Sequence, residues 1–186
     1  MLFSVFDTET TGLPFHPDAD LRLQPRIIEF GGIITDGKAI LDEVEFICNP
    51  GVVIEQIITD ITGLTNDDLR DKPPFASFVP TVAEYFSKTQ GRIAHNLSFD
   101  KGMLYFDLAR IRQTLDDIQW SRDDTVEICT VEQTVHEIGR RKRLQDWYEE
   151  TCGPYKQKHR ALDDVKLLHE ACQKSGVYDA FTGGVR

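Results

Sequence analysis

The stretch Leu2-Phe3-Ser4-Val5-Phe6-Asp7-Thr8-Glu9-Thr10-Thr11-Gly12-Leu13 constrains this chain more than any other. It opens as an apolar strand and ends on two carboxylates at Asp-x-Glu spacing. Side chains two apart on a strand share a face, so Asp7 and Glu9 project together, roughly 7 Å apart along the chain. Carboxylates this close repel unless they ionise around a cation, and all-oxygen donors suit magnesium or manganese rather than zinc. A solvated turn gives similar letters, so other acids must decide between the two.

Two further segments supply them. His95-Asn96-Leu97-Ser98-Phe99-Asp100 ends a strand and opens a helix, with Ser98 as its expected cap. Met103, Leu104 and Ile111 place Asp100 on that helix's apolar face, where a carboxylate needs a partner. In the last helix, from about Arg160 to Lys174, Ala161, Val165, Leu168 and Cys172 form the inward stripe. Asp164 falls on that stripe and Asp163 points away, so Asp164 is the expected buried acid. His159 lies just ahead of the first turn, from where an imidazole reaches toward the same centre. Four acids from three separated segments carry about four negative charges, enough to balance two divalent cations roughly 3.5–4 Å apart.

The order of elements gives the fold class. Leu2–Phe6, Arg26–Thr35 and Ala39–Cys48 read as strands, the last two joined by the Asp36-Gly37 turn. Helical and strand periodicities then alternate: a stripe from Phe75 to Phe86, a strand at Gly91–His95, a strand at Thr125–Thr130 and a stripe from Leu144 to Cys152. The expectation is an α/β fold with a mixed sheet of about five strands and helices on both faces. The whole chain, 1–186, reads as one domain, with Phe15–Gln24 and the tail from about Ser175 loosely held.

Composition narrows the partners. A net charge of -10 argues against tight, sequence-independent duplex binding. Locally the sign reverses: Arg140, Arg141, Lys142, Arg143, Lys156, Lys158 and Arg160 face only Asp146, Glu149 and Glu150, so one flank can attract a polyanion. No apolar run approaches a membrane span, no export signal opens the chain, and Cys48, Cys129, Cys152 and Cys172 form no Cys-x-x-Cys pair. A cytoplasmic location is expected.

The three motifs carry a resemblance. Asp7-Thr8-Glu9-Thr10-Thr11-Gly12-Leu13, His95-Asn96-Leu97-Ser98-Phe99-Asp100 and His159-Arg160-Ala161-Leu162-Asp163-Asp164 resemble, in order and spacing, a DEDDh-type (DnaQ-like) 3'-5' exonuclease. That family contains the proofreading epsilon subunit of bacterial DNA polymerase III, and its fold is ribonuclease H-like. The likeness spans residues 2 to about 173. It implies that Asp7, Glu9, Asp100 and Asp164 hold two Mg2+ or Mn2+ ions, with His159 as the general base, a role that suits an imidazole titrating near neutrality.

It also implies substrate contacts. Backbone groups near Thr8 and Thr10 would bind the terminal 3'-hydroxyl, and Gly12 and Leu13 would meet the terminal nucleotide, Leu13 as a wedge against the bases. Ile61-Thr62-Gly63-Leu64-Thr65 resembles a second contacting segment through Thr62 and Leu64, and His95, Asn96 and Phe99 would complete the set. The implied reaction removes nucleotides from the 3' end of single-stranded DNA as 5'-monophosphates. An RNA-trimming enzyme like oligoribonuclease or ribonuclease T uses the same residues, but oligoribonuclease-like chains carry Met where Thr10 stands. A catalytically idle nucleic-acid-binding module would lack one of the ligands, and none is missing. Proofreading subunits carry a further polymerase-binding segment, which is not seen after the last helix, so a polymerase partner is possible but not indicated.

Overall fold

The computed structural model describes residues 1–16, 18–155 and 159–182. Three antiparallel strands open the chain: β1 (Phe3–Thr10), β2 (Ile27–Thr35) and β3 (Ile40–Ile47). Next come α1 (Gln56–Thr62) and α2 (Asn66–Arg70), a 3-10 turn at Phe75–Phe78, α3 (Val79–Ser87), β4 (Gly91–Ala94) and α4 (Leu97–Arg110). The second half holds a 3-10 turn at Leu115–Ile118, β5 (Val126–Cys129), α5 (Thr130–Ile138), α6 (Leu144–Thr151), α7 (Ala161–Lys174) and α8 (Asp179–Thr182). The sheet order is β3-β2-β1-β4-β5, with β4 and β5 parallel to β1. Among the described residues no helix is long and apolar enough to cross a membrane.

Strand alternation distributes two cores over the two faces. Phe6 and Phe30 pack with Val82, Phe86, Leu104, Leu108 and Trp120 on the side of α3 and α4. Phe3, Val5 and Ile33 pack with Trp147, Val165, Leu168 and Tyr178 on the side of α6 and α7. Period-two geometry therefore sends Asp7 and Glu9, in phase with Phe3 and Val5, toward α7, and sends Thr8 toward α4. Pairing between β1 and β4 stops at Val5 and Ile93, whereas β1 runs on to Thr10. The chain of β4 instead turns away into α4, opening space beside the second half of β1. Such a divergence at strand C-termini is where open α/β sheets place their sites.

A close approach fixes α7 on this face. Gly31 pairs with Asp7, and a Cβ there would stand 2.3 Å from the Leu162 nitrogen and 2.5 Å from the Ala161 carbonyl carbon. Only hydrogen at this position lets the start of α7 sit directly over β2, beside Asp7.

Several expectations need correction. β1 continues through Asp7 and Glu9 instead of ending before them, because Glu9 and Glu29 still pair across the ladder. Ser98 lies inside α4; Asn96, in the left-handed region at φ 80°, is the residue that leads into it. Ile111 falls at the C-cap and is exposed. The tail is held at least to Tyr178, since Val177 and Tyr178 are buried and the Tyr178 ring packs edge-on against Phe3 at 5.0 Å; residues 183–186 lie outside the described residues. Phe15–Gln24 is also held, by an internal hydrogen-bond network around a buried Gln24. Helices α1, α2 and α5 were not anticipated; α1 and α2 have seven and five residues, too short to show a periodicity.

Candidate metal centre

Four carboxylates converge below the divergence of β1 and β4. One carboxylate oxygen from each of Asp7, Glu9 and Asp164 lies within 4.8 Å of the others. β1 supplies the first two by alternation, and α7 supplies Asp164 one turn into the helix that Gly31 admits, buried as its place on the apolar stripe requires. Asp163, the rejected neighbour, is half-buried rather than solvated.

Asp100 approaches from α4 on the other side of β1. Its Oδ1 accepts hydrogen bonds from the Thr8 amide at 3.0 Å and the Thr8 hydroxyl at 2.7 Å. Its Oδ2 is buried without a hydrogen-bond partner. A buried, half-satisfied carboxylate is costly unless something else occupies its free oxygen.

Electrostatics describe the same strain. Burial, then the charges of Asp100, Glu9 and Asp164, push the Asp7 carboxyl well above its usual range. Burial and then Asp164 push Glu9 up to about 8. Burial raises Asp100 to about 7 against the opposing pull of its Thr8 hydrogen bonds. Such a cluster takes up either protons or cations, and its all-carboxylate donor set fits hard divalent ions. Asp7, Glu9, Asp100 and Asp164 are therefore the residues that would hold them.

This has a consequence for stability. In the unfolded chain Glu9 and Asp100 titrate near 4, whereas in the metal-free fold Glu9 is raised to about 8 and Asp100 to about 7. The folded state thus binds more protons between those limits, and stability present below pH 4 to 5 is lost as pH rises through about 8. The metal-free protein is expected to melt on the order of 5–10 °C lower at pH 9 than at pH 6. Millimolar magnesium should remove most of that difference; a pH-independent melting temperature in EDTA would contradict the electrostatic picture.

One residue pair escaped the sequence reading. Glu29 on β2 lies opposite Glu9 and is fully buried. The Arg160 guanidinium grips it through Nε at 2.9 and 3.0 Å and Nη2 at 2.6 Å, and the Ala161 amide lies 3.3 Å from its Oε2. The pair ties the first residues of α7 to the sheet next to the acids. Its signal was the lone charge in Ile27-Ile28-Glu29-Phe30, which a buried strand tolerates only with a partner. Just ahead of Arg160, His159 is exposed, outside the carboxylate cluster, with its backbone in the left-handed region at φ 51°.

The expected substrate contacts divide. Leu13 stands 79% exposed and Gly12 is half-buried beside it, both available at the mouth. Several other side chains are committed inside the protein. Thr8 spends its amide and hydroxyl on Asp100. The Thr10 hydroxyl donates to the Gly12 carbonyl, shaping the loop. The Thr62 hydroxyl donates to Ile58, and Leu64 is core, packed with Ile28, Ile54 and Leu69. His95 pairs through Nδ1 with the Thr130 hydroxyl and through Nε2 with the Lys142 carbonyl, both at 2.9 Å, so neither ring nitrogen is left for a substrate. Phe99 packs against the core, and Asn96 is half-buried at the start of α4. These side chains shape the site from behind, because the close packing that fixes the acids uses their polar groups.

The basic flank is also largely neutralised. Lys142 pairs with Glu150, Arg143 with Asp146 and Arg160 with Glu29. Arg140 and Arg141 are exposed; Lys156 and Lys158 lie outside the described residues.

An antiparallel-start mixed sheet with acids at Asp7, Glu9, Asp100 and Asp164 defines an α/β fold built around a carboxylate centre. The family model described as Exonuclease matches residues 4–171, and the chain belongs to that family, in its DEDDh-type, DnaQ-like branch with a ribonuclease H-like fold. The DNA polymerase III subunit epsilon of Treponema pallidum (strain Nichols) is 30% identical over 170 residues, covering 90% of this chain and 73% of that protein. The PolC-type DNA polymerase III of Bacillus subtilis (strain 168) is 26% identical over 184 residues. This chain spans only 12% of that polymerase's length and 8% of the Caldanaerobacter subterraneus PolC-type relative. Two solved structures share the fold. Exonuclease X in complex with 5' overhanging duplex DNA aligns with a TM-score of 0.62 at 23% identity, over 94% of this chain and 93% of that one. The nuclease domain of 3'hExo bound to rAMP aligns with a TM-score of 0.74 at 14% identity, over 97% and 94%.

Proposed function

We infer that this chain is a two-metal 3'-5' exonuclease that hydrolyses the terminal phosphodiester of single-stranded DNA and releases 5'-mononucleotides. The observation that carries the reading is the meeting of Asp7, Glu9 and Asp164 within 4.8 Å, with Asp100 behind them. Bound divalent ions would neutralise these carboxylates, draw in the anionic phosphodiester and acidify the attacking water.

The protein's own residues do the rest. Asp7 and Glu9 hold one side of the centre because β2 pairs with β1 through both of them, opposite Gly31 and Glu29. Thr8 orients Asp100 through two hydrogen bonds. To His159, exposed just ahead of α7 and outside the cluster, we assign the role of accepting the proton of the water that attacks phosphorus. Its left-handed backbone is a conformation that non-glycine residues hold only when the surroundings impose it, a recurrent feature of active sites. Leu13 offers an apolar face to the terminal base.

DNA is preferred to RNA on the side chain at position 10. Thr10 caps its own loop through the Gly12 carbonyl, where RNA-trimming oligoribonuclease-like chains carry Met. The Treponema relative is named as a DNA polymerase subunit. The reading is tested by incubating the protein with 3'-tailed DNA, 5'-tailed DNA and RNA of matched sequence, with and without magnesium or manganese. Loss of mononucleotides from the 3' DNA tail is expected; faster release from RNA would shift the assignment to the exoribonuclease branch, and no metal-dependent release would remove it. Replacing His159 with alanine should lower kcat by about 10² to 10⁴ with manganese affinity intact. An equal loss of manganese affinity would make His159 a ligand instead of a base.

A further inference from the structure

The loop between β1 and β2 has the wrong side chains facing outward for a mere connector. Its neck is closed by the Thr11 amide donating to the Arg26 carbonyl at 2.9 Å and the Arg26 amide donating to the Thr11 hydroxyl at 3.0 Å. Inside it, the buried Gln24 accepts from the Phe15 amide and donates to the His16 carbonyl, both at 3.0 Å. From below, Arg110 of α4 donates to the carbonyls of Leu21, Gln24 and Pro25, and is itself held by Asp107, which also accepts from the Ile27 amide. A buried ion pair and a buried amide thus hold the loop in one shape. Yet Phe15 and Leu23, each 59% exposed, stand in solvent beside Leu13 and line one cleft with Val52, itself 46% exposed. Polar side chains of the loop also reach solvent at His16, Asp18 and Arg22, but Phe15, Leu23 and Val52 gather along one cleft, and such an exposed apolar patch marks an interaction surface.

Its position and the protein's charge identify the occupant. Thr11 and Gly12, which line the same cleft, follow Glu9 by two and three residues, so the cleft opens within a few residues of the acids. Of the two arginines that line the cleft, Arg22 is paired with Asp20 and Arg26 donates to the Pro50 carbonyl, and a chain of net charge -10 gains little by neutralising phosphates. Grip on a strand must then come from the faces of its bases, which are free in a single strand and hidden in a duplex. We propose that Phe15 and Leu23, with Val52, form a platform on which the bases upstream of the terminal nucleotide rest, so that the loop selects an unpaired 3' end. The inference rests on the exonuclease reading above and adds the residues that set its preference for single strands.

The test uses the full chain carrying Phe15→Ser and Leu23→Ser, both exposed, so that the melting temperature serves as a folding control. Two substrates are compared: a single-stranded DNA of about ten nucleotides and the p-nitrophenyl ester of thymidine 5'-monophosphate, which has no upstream base. The expected result is a rise in KM of about tenfold or more on the oligonucleotide, with kcat and hydrolysis of the ester unchanged. An unchanged KM on the oligonucleotide would overturn the platform, as it would if the loop received a protein instead of a strand. An equal rise in KM on both substrates would also overturn it, placing the loop's effect at the centre itself. A wild-type chain inactive on both substrates would instead overturn the exonuclease reading, which keeps the two failures apart.

Discussion

Replacing Asp7 with alanine is expected to abolish metal-dependent nucleotide release, lowering the rate by at least about 10³. Asp7 stands among the other acids: Asp100, Glu9, Asp164 and Glu29 all raise its carboxyl, as Asp164, Glu29 and Asp100 raise that of Glu9. Without it the remaining carboxylates lose the central member that joins the β1 pair to Asp100. The fold should not suffer, because the same crowding burdens the metal-free protein. Asp7→Asn, which keeps the shape and removes the charge, is expected to raise the melting temperature in EDTA at pH 8 while eliminating activity. A variant that is both inactive and less stable in EDTA would mean that Asp7 holds the fold, and residual magnesium-dependent cleavage would place the metals elsewhere.

The second large effect is expected at Arg160. Its guanidinium is about a third exposed, but the Glu29 carboxylate it holds is not exposed at all. Arg160→Ala strands that charge between β2 and α7. The cost should be on the order of 2–3 kcal/mol, toward the low end for breaking a buried pair because the arginine is partly solvated. For a chain of this length that corresponds to a fall of about 5–10 °C in melting temperature. The consequence for turnover separates structure from positioning. Adding Glu29→Gln to Arg160→Ala removes the stranded charge and should recover much of the stability. If the pair also fixes the turn bearing His159, kcat will stay low in the double variant while KM on DNA changes little. Full recovery of kcat along with stability would confine the pair to a structural role.

How far the sequence carried depends on whether a residue's setting is local or distant. Asp7, Glu9 and Asp164 were legible because each sits on a periodic apolar pattern that dictates its face, two residues per repeat in β1 and three to four in α7. The sheet was legible for the same reason. What escaped was tertiary. Glu29 needed Arg160, 131 positions away, to explain its burial. His95 read as a polar residue at a strand end, whereas its partners are Thr130 at the start of α5 and Lys142 beyond its end. Thr62 and Leu64 lie beside a turn glycine and were expected to contact substrate, but Leu64 closes a small core with Ile28 and Ile54. Phe15–Gln24 carries a proline and charges that suggest slack, and the buried Gln24 and the reach of Arg110 hold the loop. Seven basic residues in one stretch suggested an anion-binding flank, yet three of them form ion pairs within the protein.

Asp7, Glu9, Asp100 and Asp164 are proposed to form one divalent-metal centre. The most direct measurement is anomalous diffraction at the manganese edge from crystals of the protein soaked with manganese and thymidine 5'-monophosphate. Manganese peaks bounded by the carboxylates of Asp7, Glu9 and Asp164, and lost in Asp7→Ala, are the predicted result. Peaks confined to other parts of the surface, at manganese concentrations that sustain nucleotide release, would contradict it.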